Sequence, residues 1–188
     1  MSPILGIWAS QNYPRITSSY ESIATVTVGS GGQADVEFTS IPSGFEHLQI
    51  RVLSRDTRSA NSNNFITRMN GDTASNYSIH ILYGDGSSVG TYGEANSTYA
   101  IGGTETSASA TASIFGVAII DILDYDNTNK YKTLRSLSGN DRNGAGDIRF
   151  YSGSWRNTNA ITSLKFTPES SGNFAQYSSF ALYGIKGA

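Results

Sequence analysis

Apolar and polar residues alternate along much of the chain, which is the pattern of β-strands with one buried face. The clearest segments are residues 22–28, 34–39 and 47–53, where every second side chain is apolar. A glycine-rich turn at residues 29–32 separates the first two, so the sequence predicts a β-hairpin there. No segment shows the 3.6-residue apolar period of an amphipathic helix.

The most continuous apolar run lies at residues 114–125, which read IFGVAIIDILDY. β-Branched and aromatic residues dominate the run, and a turn-forming cluster follows at residues 126–129. A helix is the alternative, because periodicity alone does not classify a short apolar run. Apolar side chains on both faces predict a central strand that is covered on both sides. Residues 131–137 are predicted to pair back onto this strand as a hairpin.

Further short strands are predicted near residues 65–69, 77–83, 148–151, 161–166 and 180–185. Together the segments give about nine or ten strands at regular spacing, which predicts an all-β, antiparallel β-sandwich of the jelly-roll type. The pattern leaves a barrel open as the alternative. Residues 84–113, rich in Gly, Ser, Thr and Ala, are predicted to form a long loop with a short edge strand at 98–101.

The length of 188 residues corresponds to one domain with an extension. We predict an N-terminal arm at residues 1–18 and a sandwich domain at residues 19–188. The apolar head of the arm consists of Ile4, Leu5, Ile7 and Trp8. An exposed patch of this kind is expected to bind a partner, and a first strand packed on its own domain is the alternative.

Composition narrows the classes of function. Hydrophobic residues make up 38% of the chain and charged residues only 15%, so Ser, Thr, Asn, Gly and Tyr must dominate the surface. Such surfaces are common in extracellular β modules, virion proteins and carbohydrate binders. The net charge of -2 and the lack of a Lys/Arg run argue against a nucleic-acid partner. No apolar run approaches the roughly 20 residues of a membrane helix, so no membrane insertion is expected.

Catalytic motifs are weak in this sequence. Residues 86–90 (GSSVG) match the G-x-S-x-G string of hydrolases. That string needs a helix after the serine and a histidine later in the chain, whereas His47 and His80 both precede Ser88. The chain also contains no cysteine, which excludes disulfides and thiolate chemistry. We therefore predict that the protein is not an enzyme and needs no cofactor.

Asp121, Asp124 and Asp126 lie close together and could present oxygens to a cation. An EF-hand loop that began at Asp124 would need Gly and Glu where Asn129 and Arg135 stand. A strand end followed by an Asx turn explains the pattern better, so no metal site is predicted.

Three aromatic residues are candidates for contacts with a glycan. Exposed rings near Asn and Asp commonly stack on sugars. Tyr92 and Tyr99 lie in the predicted loop, and Trp155 precedes Arg156 and Asn157. The alternative is that these rings pack in the core or in an interface.

Six stretches carry a resemblance to a known family: SYESIATVTVGSGG (19–32), FTSIPSGFEHLQIR (38–51), MNGD (69–72), NYSIHILYGDGS (76–87), IDILDYDNTNKYKTLRSLSG (120–139) and NFAQYSSFALYGIKG (173–187). They resemble a family of uncharacterised bacteriophage virion proteins, over nearly the whole chain. The terminal ALYGIKG is the most recognisable part. The resemblance implies a structural role in the virion and supplies no catalytic motif.

We therefore expect a phage virion structural protein that decorates or cements the capsid exterior after assembly in the host cytoplasm. The expected partners are other virion proteins, above all the major capsid protein, and further copies of this chain in a homo-oligomer, for which a trimer is favoured. The alternative is a fibre or spike head that binds host-surface glycans. The sequence leaves the position in the head or the tail open.

Overall fold

The computed structural model describes residues 19–187, and within these residues it contains twelve β-strands and no helix. In chain order the strands are β1 (Tyr20–Thr27), β2 (Val36–Phe38), β3 (His47–Ser54), β4 (Ser62–Met69), β5 (Tyr77–Gly84), β6 (Val89–Ser97), β7 (Ala100–Thr106), β8 (Gly116–Leu123), β9 (Lys132–Asp141), β10 (Gly146–Trp155), β11 (Leu164–Pro168) and β12 (Ser179–Ile185). Over the same residues there is no helix long and apolar enough to cross a membrane.

The strands form two sheets that pack face to face. The larger sheet has eight strands in the order β1-β12-β3-β8-β9-β10-β5-β6, and the smaller has four in the order β2-β11-β4-β7. All pairings between these strands are antiparallel. The prediction of an all-β, antiparallel sandwich is confirmed.

Eight of the strands follow the strand order of a jelly roll. They divide into a β1-β12-β3-β8 sheet and a β2-β11-β4-β7 sheet, which is the arrangement produced by two Greek keys. The hairpins β5–β6 and β9–β10 add four strands to one side of the first sheet. The larger sheet is therefore twice as wide as the smaller one.

Four phenylalanines form the centre of the core between the sheets. Phe65, Phe166 and Phe180 come from β4, β11 and β12, and Phe174 comes from the connection before β12. All four are fully buried. Their ring centroids lie between 4.9 and 6.4 Å apart, mostly edge to face. Edge-to-face contacts of this kind add about 0.5–1.5 kcal/mol each beyond area burial, so the cluster joins the two sheets.

The predicted hairpin at residues 22–39 is wrong. β1 pairs with β12, where Val26 lies opposite Phe180, and β2 pairs with β11, where Val36 lies opposite Phe166. The two strands belong to different sheets. Alternation predicts that a segment is a strand, but in a Greek key the hydrogen-bonded partner is remote in the sequence.

The predicted long loop at residues 84–113 is also wrong, because β6 and β7 occupy most of it. The glycines that suggested a loop permit close packing instead. A Cβ on Gly102 would lie 2.5 Å from the Phe65 ring, and one on Gly103 would lie 2.9 Å from Ala118 Cβ. Small residues in this strand therefore leave room for core side chains.

The apolar run at residues 114–125 contains β8, which lies fourth of eight strands and pairs with β9 as predicted. The expectation that both of its faces are covered is wrong for the described residues. Val117 and Ile119 are about half exposed, whereas Ala118 and Ile120 are buried. One face of the central strand is therefore apolar and open.

Candidate functional site

The outer face of the eight-stranded sheet carries a band of exposed apolar side chains, which we call the apolar outer face. Its members lie between 41% and 78% exposed and come from six adjacent strands, β3-β8-β9-β10-β5-β6. They are Leu53, Leu82, Val89, Val117, Ile119, Leu137, Ile148 and Phe150. In each strand these side chains alternate with side chains that point toward the smaller sheet, as the two-residue period requires.

The strand register places these side chains in two neighbouring rows. In one row Ile119 lies opposite Leu137, Leu137 opposite Phe150, and Phe150 opposite Leu82. Directly opposite side chains in antiparallel strands lie about 5 Å apart at Cβ, so the row is continuous. The face is therefore one surface and not a set of scattered residues.

The second row begins where Leu53 lies opposite Val117. It continues through Gly139 to Ile148, and through Gly84 to Val89. Because Gly139 and Gly84 have no side chains, the surface is lower at these two positions than at the larger side chains beside them.

Two hollows of about 240 and 280 Å³ flank the ridge formed by Leu137 and Phe150. The first hollow is lined almost entirely by apolar atoms, including those of Leu82 and Ile148. The second is bordered by Ile119 and by the charged residues Asp121 and Arg135. A ridge between hollows gives the face relief that a complementary surface can match.

Charged side chains border the apolar rows on one side, next to the row that contains Ile119 and Leu137. Asp121 lies opposite Arg135 in the β8–β9 register. Gln49 Nε2 donates a hydrogen bond to Asp121 Oδ1 at 2.9 Å, and Arg51 Nε donates to Gln49 Oε1 at 3.2 Å. The apolar rows thus have a border that contains both signs of charge.

The size of the face is unusual for a monomer. With side-chain areas on the order of 150–200 Å², the exposed fractions of its eight residues leave roughly 700 Å² of apolar surface. The largest apolar patch on a typical monomer measures about 300–600 Å². A protein–protein interface of standard size buries about 800 Å² on each partner.

Two of the aromatic residues predicted as glycan contacts lie in one cluster. The Tyr92 hydroxyl donates to Glu94 Oε2 at 2.7 Å, and the Tyr99 hydroxyl donates to Glu169 Oε1 at 3.1 Å. Burial and the negative charge of Glu169 raise the pKa of Tyr99 to about 12. The charge of Glu94 raises the pKa of Tyr99 in the same direction.

The cluster continues into the smaller sheet. Asn64 Nδ2 donates to the second oxygen of Glu169 at 2.7 Å. The Arg68 guanidinium lies 5.9 Å from the centroid of the Tyr99 ring. Tyr92 is half exposed and Tyr99 is partly buried, so one ring is open to solvent beside two carboxylates.

The prediction that Trp155 is an exposed ring is wrong. Trp155 is the last residue of β10 and only 1% exposed, and it packs in the main core. Its Nε1–H donates to Asp72 Oδ2 at 2.7 Å. Burial alone would raise the pKa of Asp72, but hydrogen bonds from Asn76, Trp155 and the Ala74 N–H lower it below its usual value.

The three aspartates near the end of β8 have separate partners. Asp121 accepts from Gln49, Asp124 forms a salt bridge with Lys130, and Asp126 Oδ2 accepts from the Gly44 N–H at 3.4 Å. Hydrogen bonding to the Lys130 ammonium lowers the pKa of Asp124.

Asp124 also lies beside Glu46 and His47, and one ligand atom of each falls within 4.8 Å of the others. His47 Nδ1, however, accepts the Asp124 N–H at 3.1 Å. Lys130 therefore already contacts one Asp124 oxygen, and a backbone N–H already occupies His47 Nδ1.

The serine of the G-x-S-x-G string lies in the tight connection between β5 and β6. The N–H groups of Ser87 and Ser88 donate to Asp85 Oδ1 at 2.8 and 2.7 Å. A strand follows this turn, whereas the hydrolase motif requires a helix. The match thus reflects an Asx-type turn.

The predicted arm, with Ile4, Leu5, Ile7 and Trp8, lies outside the described residues. The apolar outer face was not predicted as a site, although Val117 and Ile119 supplied the signal. Apolar residues on both faces of a strand were interpreted as two covered faces.

Comparison with known proteins gave no match: no family model, no curated protein and no solved structure is significantly similar to this chain.

Proposed function

We propose that this protein is a structural subunit of a phage virion, which associates with further copies of itself through the apolar outer face. The observation that carries the proposal is the eight-residue apolar band across the larger sheet. Exposed apolar area of this size favours association, because its burial removes it from water. The resemblance to virion proteins is the reason for assigning this association to a virion.

A second copy of the chain is the occupant that this face fits. Its apolar area approaches the area that one partner buries in a standard interface. Its border contains both an acid, Asp121, and a base, Arg135, which lie opposite each other. A two-fold axis parallel to the strands, between β8 and β9, would place Asp121 across from Arg135 of the second copy. An isologous contact of this kind is self-complementary.

Face-to-face pairing also accounts for the composition of β8. A strand with apolar residues on both sides is normally covered on both sides. The smaller sheet covers one side, and a second copy would cover the other. This pairing gives a dimer, whereas the sequence-based prediction favoured a trimer. The mass of the purified protein in solution, measured apart from the particle, distinguishes the two.

The decisive experiment is quantitative mass spectrometry of purified particles of the source virus. A copy number comparable to that of the major capsid protein supports decoration or cementing of the capsid. A few copies per particle would support a tail or vertex position instead. Absence from the particle would refute the virion proposal.

The predicted arm has its own test in the same particles. Deletion of residues 2–15 is expected to abolish incorporation while the sandwich remains folded, because the arm would contact the capsid. Incorporation at the wild-type level would refute this role.

A second candidate function is recognition of a host-surface glycan at the Tyr92–Tyr99 cluster. Two tyrosines, two carboxylates, the Asn64 amide and the Arg68 guanidinium lie there together. The test is a glycan array with the wild-type protein and Tyr92→Ala. Loss of about 1.4 kcal/mol or more of stacking would weaken binding at least tenfold. Tyr131→Ala, which removes an exposed ring elsewhere, is the matched control.

A further inference from the structure

Two carboxylates are fully enclosed where the two sheets meet. Glu105 lies in β7, at the edge of the smaller sheet, and is 0% exposed. Asp56 follows the end of β3, from the larger sheet, and is 1% exposed. Hydrogen bonding between the Asp56 N–H and the Thr106 carbonyl, at 2.9 Å, joins the two segments. The packing there is close, since a Cβ on Gly116 would lie 2.7 Å from Glu105 Cα.

The oxygens around Glu105 lack hydrogen-bond partners. Neither Oε1 nor Oε2 of Glu105 has one. Ser54 Oγ, which is adjacent to this carboxyl group, and Ser107 Oγ, two residues along the chain, are buried and unpaired as well. Buried polar atoms in native proteins are nearly always paired, so four unpaired oxygens in one region indicate a missing partner.

Asp56 lies beside this group and accepts two hydrogen bonds. Its Oδ2 accepts from Asn63 Nδ2 at 2.7 Å, and its Oδ1 accepts from the Arg58 N–H at 3.2 Å. Each of its oxygens still has lone-pair capacity for another ligand.

Neighbouring arginines do not neutralise the pair. The Arg55 guanidinium donates to backbone carbonyls, namely those of Ala108, Ala110, Thr111 and Ile114. The Arg58 guanidinium donates to Asn63 Oδ1. Within residues 19–187, no salt bridge reaches Asp56 or Glu105. Two buried carboxylates without a cation are strongly unfavourable.

A proton on Glu105 would remove one charge but would not complete the hydrogen bonding. The protonated oxygen could donate to the Ser54 hydroxyl beside it, but the second Glu105 oxygen and the Ser107 hydroxyl would stay unpaired. A hard cation contacts both carboxylate oxygens and accepts hydroxyl ligands too. Such an ion would satisfy Glu105 and Ser54 and balance Asp56.

We propose that Glu105, Asp56 and Ser54 form a binding site for Ca²⁺ that links the two sheets of the sandwich. All three side chains offer oxygen, which is the ligand atom that Ca²⁺ takes, and a bidentate glutamate is a usual part of its coordination. Mg²⁺ fits less well because it requires a near-ideal octahedron and retains several waters. The ion stabilises the folded protein and leaves the apolar outer face unchanged.

The test is thermal unfolding of the full chain after chelation, with CaCl₂, MgCl₂ or NaCl added back at matched ionic strength. Calcium at about 100 times its dissociation constant is expected to raise Tm by about 5 °C or more, whereas Mg²⁺ has a smaller effect. Glu105→Gln should lose this response. Glu37→Gln, a change at an exposed carboxylate of β2, should keep it.

Two outcomes would overturn the proposal. If calcium leaves the Tm of the wild type unchanged, the site does not bind calcium, and a higher Tm of Glu105→Gln would then indicate that Glu105 holds a proton. If Glu105→Gln responds like the wild type, the ion binds elsewhere. Should Glu105→Gln fail to fold, Ser54→Ala provides the second variant, because it removes one ligand without changing the charge. Its calcium response must be weaker than that of the wild type, and an equal response counts against the site.

Discussion

Leu137 and Phe150 lie directly opposite each other on β9 and β10, and both project half exposed from the outer face of the larger sheet. On the other side of the same strands, Leu134 and Tyr151 are buried. A pair of large apolar side chains that faces solvent at the centre of an eight-stranded sheet contributes little to the stability of the monomer. We propose that this pair lies in the contact with a second copy of the chain.

The first prediction concerns this pair. The double variant Leu137→Thr and Phe150→Thr keeps good strand formers on the sheet and removes the apolar ridge. We expect the association constant to fall at least tenfold, because a central pair dominates an interface of this size. The free energy of unfolding of the monomer should change by less than about 1 kcal/mol. Analytical ultracentrifugation and urea unfolding measure the two quantities.

Tyr131→Thr is the matched control. Tyr131 is exposed but lies in the connection from β8 to β9, outside the apolar outer face. Its self-association should equal that of the wild type. A wild-type protein that stays monomeric at high concentration would refute self-association through this face.

The second prediction concerns the phenylalanine core. Phe180→Ala should lower the free energy of unfolding by about 3–5 kcal/mol, because a buried aromatic ring leaves a cavity that its neighbours fill only in part. Phe174 and Phe65 would lose their closest ring contacts, at 4.9 and 6.0 Å. Chemical denaturation provides the measurement. An equal loss in Phe150→Ala would show that the outer face also contributes to the monomer's core stability.

The third prediction concerns the pH dependence that Glu105 causes in the chelated protein. Burial first, and then the charge of Asp56, raise the pKa of Glu105 well above its usual value of 4.5. Its neutral form therefore suits the folded state. The stability that it contributes is complete below about pH 4.5 and is lost as pH rises through the folded-state pKa.

Glu105→Gln removes this dependence. At pH 8 and without calcium, we expect the variant to be more stable than the wild type by about 1–3 kcal/mol. The difference should vanish near pH 4, where the wild-type carboxyl group is also neutral. Urea unfolding between pH 4 and pH 8 tests this, and a gap of constant size would contradict the explanation.

The fourth prediction concerns the hydrogen bond between Trp155 and Asp72. Asp72→Ala removes the acceptor of a buried indole N–H and should cost about 1.5–3 kcal/mol. The pKa of Asp72 is lowered in the folded state, so its contribution is present above its unfolded value of 3.8 and is lost as pH falls through the folded-state pKa. Unfolding curves of both proteins should approach each other at low pH. Parallel curves down to pH 2 would exclude a charged acceptor.

Alternation in the sequence was sufficient for the fold class and for one of the two predicted pairings. The segments at residues 47–53 and 77–83 became β3 and β5, and the hairpin after the central apolar run became β8 and β9. These are local properties, since the two-residue period arises from the strand backbone itself and a hairpin joins neighbours in sequence. The all-β sandwich follows from many such strands without any helical pattern.

Remote pairing was beyond the sequence pattern. Val26 and Val36 fit a hairpin by alternation, yet they lie in different sheets because β12 and β11 are their partners. The glycines of β7 suggested a loop. Their role is to leave room for Phe65, which reaches them from another strand, so alternation within β7 could not indicate it. Each of these features is decided by contacts between distant segments.

The sequence by itself determined that this chain forms β-strands with apolar faces, and that β8 has two of them. Only the tertiary structure decided which of these faces another sheet covers and which remains open. It likewise decided that Trp155 is enclosed and that Glu105 meets Asp56 without a counter-charge among the described residues. The physical reason is that periodicity reports which side chains share a face, whereas burial depends on what packs against that face.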